Sequence, residues 1–211
     1  VHISNVLYDR AGSAFSKISP GAIDWSRMFS DARWYHVSGI TPALSESALT
    51  VTAESLAAAK NAGMTVSYDV NYRPRLWTPT EARAVQEPLL ELVDVLVITE
   101  EDARVVFGAQ SVEALTERFG IGAVAMTLRD NPCAVIAAVD GKRYTAPRHA
   151  VETVDRIGAG DAFTGGLIVS RLQNRGWEDA LRIATATAAL KHTIPGDFCL
   201  ISRADVDRLL R

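Results

Sequence analysis

The stretch VDRIGAGDAFTGGLIVS, residues 154–170, sets three small residues, Gly158, Ala159 and Gly160, ahead of one acid, Asp161, and then runs into an apolar helical pattern. Gly158 and Gly160 reach backbone angles closed to other residues and put no side chain in the way. The helix predicted from Ala159 to Gln173 aims its free N–H groups and its partial positive end back at this turn. Together they make an anion cradle. Asp161 falls in the first helical turn, where a carboxylate is favoured. Ionised, it accepts a proton from a hydroxyl while the N–H groups stabilise a phosphoryl group in flight. That is the division of labour phosphoryl transfer needs. From these residues alone, an acid that only caps a helix fits equally well. Neither GxxxxGK[ST] nor GxGxxG occurs in the chain.

Outward from this turn, short apolar runs alternate with helical stretches. Strands are predicted in HISNVLY (2–8), ARWYHVSG (32–39), MTVSYDVN (64–71), VDVLVIT (93–99) and GAVAMTL (122–128). CAVIAAVDGKRYTA (133–146) reads as a hairpin turning at Asp140-Gly141. Residues 45–63 read as a helix closed by Gly63. A helix from about Thr80, capped by Thr78 or Thr80 and flawed by Pro88, follows. Short helices are expected at 100–107 and 111–119, and longer ones at 159–173, 177–192 and 202–210. Nearly all-apolar strands alternating with helices predict an α/β protein with a mostly parallel sheet covered on both faces. In such sheets ligands gather beyond the carboxyl ends of the strands.

Composition narrows the function classes. Of 211 residues, 48% are hydrophobic and 22% charged, and the net charge is −3, so no basic field points to nucleic acid or an acidic membrane surface. No apolar run approaches the roughly 20 residues that span a bilayer. No signal peptide is read, and Cys133 and Cys199 lie far apart, read as two buried thiols in a reducing compartment. His2, His36, His149 and His192 show no metal-ligand spacing, so no protein metal site is predicted. The four tryptophans read as packing residues. The chain begins VHISNVLYDR, without Met, which reads as the middle of a domain.

VDRIGAGDAFTGGL resembles the C-terminal signature DTxGAGDAFxxG of the ribokinase-like (PfkB) carbohydrate kinases. Asp155, the GAGD core, Ala162, Phe163 and Gly166 match, while Arg156 stands where the family mostly has Thr. The resemblance implies that Asp161 is the base that deprotonates the sugar hydroxyl and that the amides of Gly158, Ala159 and Gly160 hold the transferred phosphate. VDVLVITEEDA is similar to the family segment that supports the magnesium and phosphate network, with Thr99 where Asn is common and Asp102 where Glu is common. AVAMTLRDNPCAVI resembles the strand before the nucleotide loop, which implies Thr127 and Arg129 near the ATP phosphates. Asn71 and Thr185 are implied on the nucleotide side as well, with adenine against residues 184–188.

Three further pieces bear on the sugar. In VLYDRAGSAFS, Tyr8 and Arg10 lie two apart and would share one face of a strand. In YDVNYRPRLW, Arg73 falls just past a strand end, where a guanidinium can grip a carboxylate through two parallel hydrogen bonds. In TIPGDF, Asp197 follows a glycine late in the chain. Together they resemble the 2-keto-3-deoxygluconate kinases, which implies substrate contacts at Tyr8, Arg10, Arg73, Asp161 and Asp197. Two arginines suit an acid better than a neutral hexose.

The resemblance thus implies a ribokinase-like three-layer α/β/α sandwich, with residues 1–211 as the C-terminal two-thirds of a single kinase domain whose first strands and β lid are missing. It implies ATP with Mg²⁺, phosphorylation of 2-dehydro-3-deoxy-D-gluconate at O6 in an Entner–Doudoroff type of metabolism, a cytoplasmic enzyme, and a homo-oligomer through lid pairing when complete. The alternatives are another PfkB kinase, such as a fructokinase, and a non-catalytic sugar-binding protein of the same fold.

Overall fold

A computed structural model describes residue 10, residues 12–129 and residues 133–211. It divides into two compact units, residues 1–93 and 94–211. The strand expected at 2–8, and Tyr8 with it, lies outside the described residues.

In the first unit, β1 (Trp34–Ser38) and β2 (Thr65–Asp69) pair in parallel, with Trp34 opposite Thr65 and Ser38 opposite Asp69. The connection between them is α2 (Glu46–Asn61), the crossover a parallel pair requires. Ser45 starts α2 by accepting the Ala48 N–H at 3.1 Å, and Gly63, at φ +71°, turns the chain toward β2. Val66, Ser67 and Tyr68 are consecutive and all buried, so β2 is covered on both faces. α3 (Pro79–Leu90) opens on a capping box of Thr78 and Glu81, one residue ahead of the predicted start, and keeps Pro88 in its last turn. A four-residue helix, α1 (Trp25–Met28), and two 3₁₀ turns, at Phe15–Lys17 and Thr41–Ala43, were not legible in the pattern. α1 brings Trp25 and Phe29 against Tyr35 of β1, with ring centroids 6.4 and 5.1 Å away.

In the second unit, β3 (Val95–Thr99) and β4 (Ala123–Thr127) are parallel and in register from Val95 opposite Ala123 to Thr99 opposite Thr127. α4 (Glu100–Phe107) and α5 (Val112–Phe119) connect them. β5 (Cys133–Val139) runs antiparallel to β4, and β6 (Lys142–Pro147) antiparallel to β5. The hairpin turns where predicted: Asp140 and Gly141 have φ of 47° and 76°, the paired left-handed angles of a tight two-residue turn. α6 (Ala159–Leu172), α7 (Trp177–Lys191) and α8 (Arg203–Leu209) complete the unit. At Gly166 a side chain would meet the Cα of Ala184 and Oγ1 of Thr187 at 3.1 Å, so glycine lets α6 and α7 approach closely. Cys199 is exposed, contrary to the expectation that it is buried, because it lies in the open loop before α8. Among the described residues, no helix is long and apolar enough to cross a membrane.

Candidate active site

The α6 N-terminus has the predicted form. Gly158 is its N-cap at φ +76°, and no side chain caps the helix. By contrast α2, α3, α4, α5 and α8 are each capped by a serine or threonine hydroxyl. A side chain at Gly158 would collide with the carbonyl of Asp197, so both the angle and the space exclude other residues. At Gly160 nothing lies within 4 Å of the position a Cβ would take. Asp161 is exposed in the first turn, so its carboxylate is open to a ligand. The leading N–H groups, the open space over Gly160 and an exposed acid make a cradle that fits a phosphoryl group and a proton acceptor beside it.

The turn before α6 is tied to the loop that follows α7. Asp155 accepts the Ile157 N–H at 3.0 Å and the Gly196 N–H at 2.9 Å. These two bonds, more than any nearby charge, hold its carboxyl below the usual range. The N–H groups of Val154 and Asp155 both donate to the His192 carbonyl, at 2.8 and 3.0 Å. The His192 imidazole is held below its ordinary pKa by burial first, then by the charges of Arg156, Lys191 and Arg148. The structure therefore brings Asp197, named from a separate stretch of sequence, directly against Gly158.

Thr99 and Thr127 sit side by side at the carboxyl ends of the parallel strands β3 and β4. The Thr99 hydroxyl accepts the Asp102 N–H at 3.0 Å and starts α4, whose first turn carries Glu100, Glu101 and Asp102. Arg129 follows β4 and is exposed. All three thus lie at or just past the carboxyl ends of the two strands, the edge where ligands of parallel sheets gather. Thr185, implied on the nucleotide side, lies within α7. It is 4% exposed, and its hydroxyl donates to the Arg182 carbonyl at 3.0 Å. On that stretch of α7, Ala184 and Ala186 are buried and only Thr187 and Ala188 are half-buried.

In the first unit, Asn71 lies past the end of β2 at φ 43°. Its N–H donates to Asp69 Oδ1 at 3.1 Å, and its Nδ2 donates to Ser38 Oγ at 3.0 Å. Asn71 thus links the ends of β1 and β2. Arg73 is half-buried, with Nη1 donating to the Tyr72 carbonyl at 3.0 Å, and the Tyr72 hydroxyl donates to the Trp77 carbonyl at 3.2 Å. Arg10 is half-buried. Sequence reading passed over two groups that this geometry makes prominent, Lys191 and the Asp155–Gly196 bond. A lysine at a helix C-terminus reads as an ordinary solvated cation, and no local pattern signals its burial.

Comparison with known proteins identifies the family. The 2-dehydro-3-deoxygalactonokinase of Haloferax volcanii is 38% identical over 215 residues, covering 99% of this chain and 66% of that protein. The 2-dehydro-3-deoxygluconokinase of Thermoproteus tenax is 31% identical, covering 99% of this chain and 64% of its own. The crystal structure of 2-dehydro-3-deoxygluconokinase from Thermotoga maritima superposes with a TM-score of 0.90 at 37% identity, over 97% of this chain and 68% of that one. The chain spans just under two thirds of the length of the two curated relatives. The family described as pfkB family carbohydrate kinase matches residues 8–197. With the open α6 N-terminus and its exposed Asp161, that match across nearly the whole sequence shows that the chain belongs to the pfkB family of carbohydrate kinases.

Proposed function

We propose that the protein transfers the γ-phosphoryl group of ATP to the O6 hydroxyl of a 2-dehydro-3-deoxy sugar acid, with 2-dehydro-3-deoxy-D-gluconate as the first choice. The observation that carries this reading is the glycine-capped start of α6 with Asp161 exposed in its first turn. In this reading Asp161 takes the proton of the attacking hydroxyl, and the amides of Gly158, Ala159 and Gly160 stabilise charge on the phosphoryl group. Thr99, Thr127 and Arg129 serve the nucleotide phosphates. Magnesium keeps several waters and is usually held by one or two carboxylates plus phosphates. Magnesium would enter as the complex with ATP, where it would neutralise phosphate charge.

Arg10 and Arg73 supply the positive charge that a sugar carboxylate calls for, and Asp197 offers an acceptor to sugar hydroxyls. The names of the three relatives above, all kinases of 2-dehydro-3-deoxy sugar acids, support that class. The family match runs across both units, which supports reading residues 1–211 as one domain.

The test is a substrate panel with the full-length protein and ATP: 2-dehydro-3-deoxygluconate, its galactonate epimer, fructose and ribose. The expected result is a kcat/KM for the sugar acids at least about 10-fold above that for either neutral sugar. A preference for fructose would replace this reading with a fructokinase. Binding of the acid without turnover of ATP would replace it with a sensor.

A further inference from the structure

Lys191 closes α7 and is completely buried. Lysine is almost never fully buried unless paired, because stripping water from an ammonium is costly. Its Nζ donates to the carbonyl of Ile194 at 3.0 Å, gripping the loop 192–197 from the inside. That same loop is fastened on its other flank to the turn that starts α6. Val154 and Asp155 donate to the His192 carbonyl, Asp155 accepts from Gly196, and Gly158 lies against the backbone of Asp197. Hydrogen bonds and close packing thus join 154–158 to 192–197, and Lys191 holds the second segment from the core side. An apolar side chain could fill the same volume without the cost of burying charge. What it could not supply is a directional bond to one particular carbonyl.

We infer that Lys191 is a positioning residue for phosphoryl transfer: by holding the loop 192–197 against the Asp155–Gly158 turn, it fixes where the amides at the start of α6 point. This inference rests on the kinase reading above and adds a residue to it. Amides that must meet developing charge in a transition state act only when held in place, and a misplacement of about 1 Å can cost on the order of 10²-fold in rate.

The test uses the full-length protein with Lys191→Met, which keeps the stem and removes the charge, and Lys191→Gln, which keeps a donor for Ile194. Two readouts are taken, steady-state kinetics on the best sugar of the panel and amide hydrogen exchange of the peptide covering 155–161. The expected result for Lys191→Met is a kcat lower by about 10- to 100-fold, with KM for sugar and ATP within about threefold of the parent. Exchange in 155–161 should rise about 10-fold or more, with a smaller change in both readouts for Lys191→Gln. A folded Lys191→Met protein with parental kcat overturns the inference. So does a loss that falls only on melting temperature, or failure of both variants to fold, since either assigns Lys191 to the core alone. If the parent turns over no sugar, the kinase reading falls by itself. Exchange then decides the clasp, and unchanged rates in 155–161 would sink it.

Discussion

Asp161 stands exposed at the start of α6, where no side chain competes for the leading N–H groups. A carboxylate there has two separable effects, a local charge and a proton acceptor. Asp161→Asn keeps the shape and removes the acceptor. It should leave sugar and nucleotide affinity nearly intact and cut kcat by about 10²-fold or more, measured by steady-state turnover beside calorimetric binding. A kcat near that of the parent would remove Asp161 from the role of base. Arg73 makes a different argument. Its guanidinium is half-buried and anchored through Nη1 to the Tyr72 carbonyl, so its direction is constrained by its own loop. Arg73→Ala should raise the barrier for a sugar acid by roughly 2 kcal/mol more than for a neutral sugar, read from the two kcat/KM ratios. Equal losses on both would show that the arginine does not grip a carboxylate.

At the scale of elements, α6 presents Asp161 at its start and packs closely on α7. Leu167 of α6 is fully buried, and one turn of that contact depends on the small Gly166. Leu167→Ala should cost about 2–5 kcal/mol of stability in urea denaturation, leaving the turnover of each folded molecule close to the parent's. The Asp155 bonds give the clasp a pH signature. Its carboxyl is held below its ordinary range, chiefly by the Ile157 and Gly196 N–H groups. A depressed folded-state pKa stabilises the fold at pH values above the unfolded carboxylate's pKa, and the contribution is lost as pH falls through the lowered one. The melting-temperature gap between the parent and Asp155→Asn should therefore stay level from about pH 8 to 5 and shrink below about pH 4. A gap that changes between pH 8 and 5 would show that another group governs the loop.

Elements were also where sequence reading worked best. β2, β3 and β4 are bounded by Gly, Asn, Asp or Thr and have largely apolar interiors, with Ser67 the polar residue inside β2, so their limits shifted by only a few residues. The hairpin followed from Asp140-Gly141 because few other pairs take two left-handed angles in succession. Thr78, read as a possible cap, does start α3. α1 and the two 3₁₀ turns have no full helical period to read, and α1 is held by the aromatic contacts of Trp25 and Phe29 with Tyr35. The burial of Thr185 was hidden from the sequence for a related reason. Its position along α7 was legible, but which way its hydroxyl turns depends on the helix carbonyl it bonds.

For the whole molecule, the family match spans residues 8–197, and function must appear as linkage between ligand and fold. A ligand that binds only the folded state stabilises it by about 2.7 kcal/mol at a concentration 100 times Kd. For a chain of this length that is a rise in melting temperature of roughly 5–10 °C. The full-length protein with saturating ADP and 2-dehydro-3-deoxygluconate should show a shift of that order, and fructose at the same concentration a clearly smaller one. Equal shifts for the acid and the neutral sugar would argue against a site built for an acid.

The sequence by itself determined the α/β alternation, the hairpin, the glycine-capped start of α6 and Asp161 within it. Each of these depends on residues within a few positions of one another: a glycine that alone reaches an angle, a hydroxyl that caps its own helix, an apolar run too short for anything but a strand. Only the tertiary structure decided that Asp155 reaches Gly196, that Asp197 lies against Gly158, that Lys191 is buried beneath the loop and that Thr185 turns inward. The contacts across the loop join residues about 40 positions apart, brought together by the packing of α6 on α7. Lys191 and Thr185 bond within their own turn, but whether such a side chain ends inside or outside is set by what the helix packs against, which local pattern does not encode.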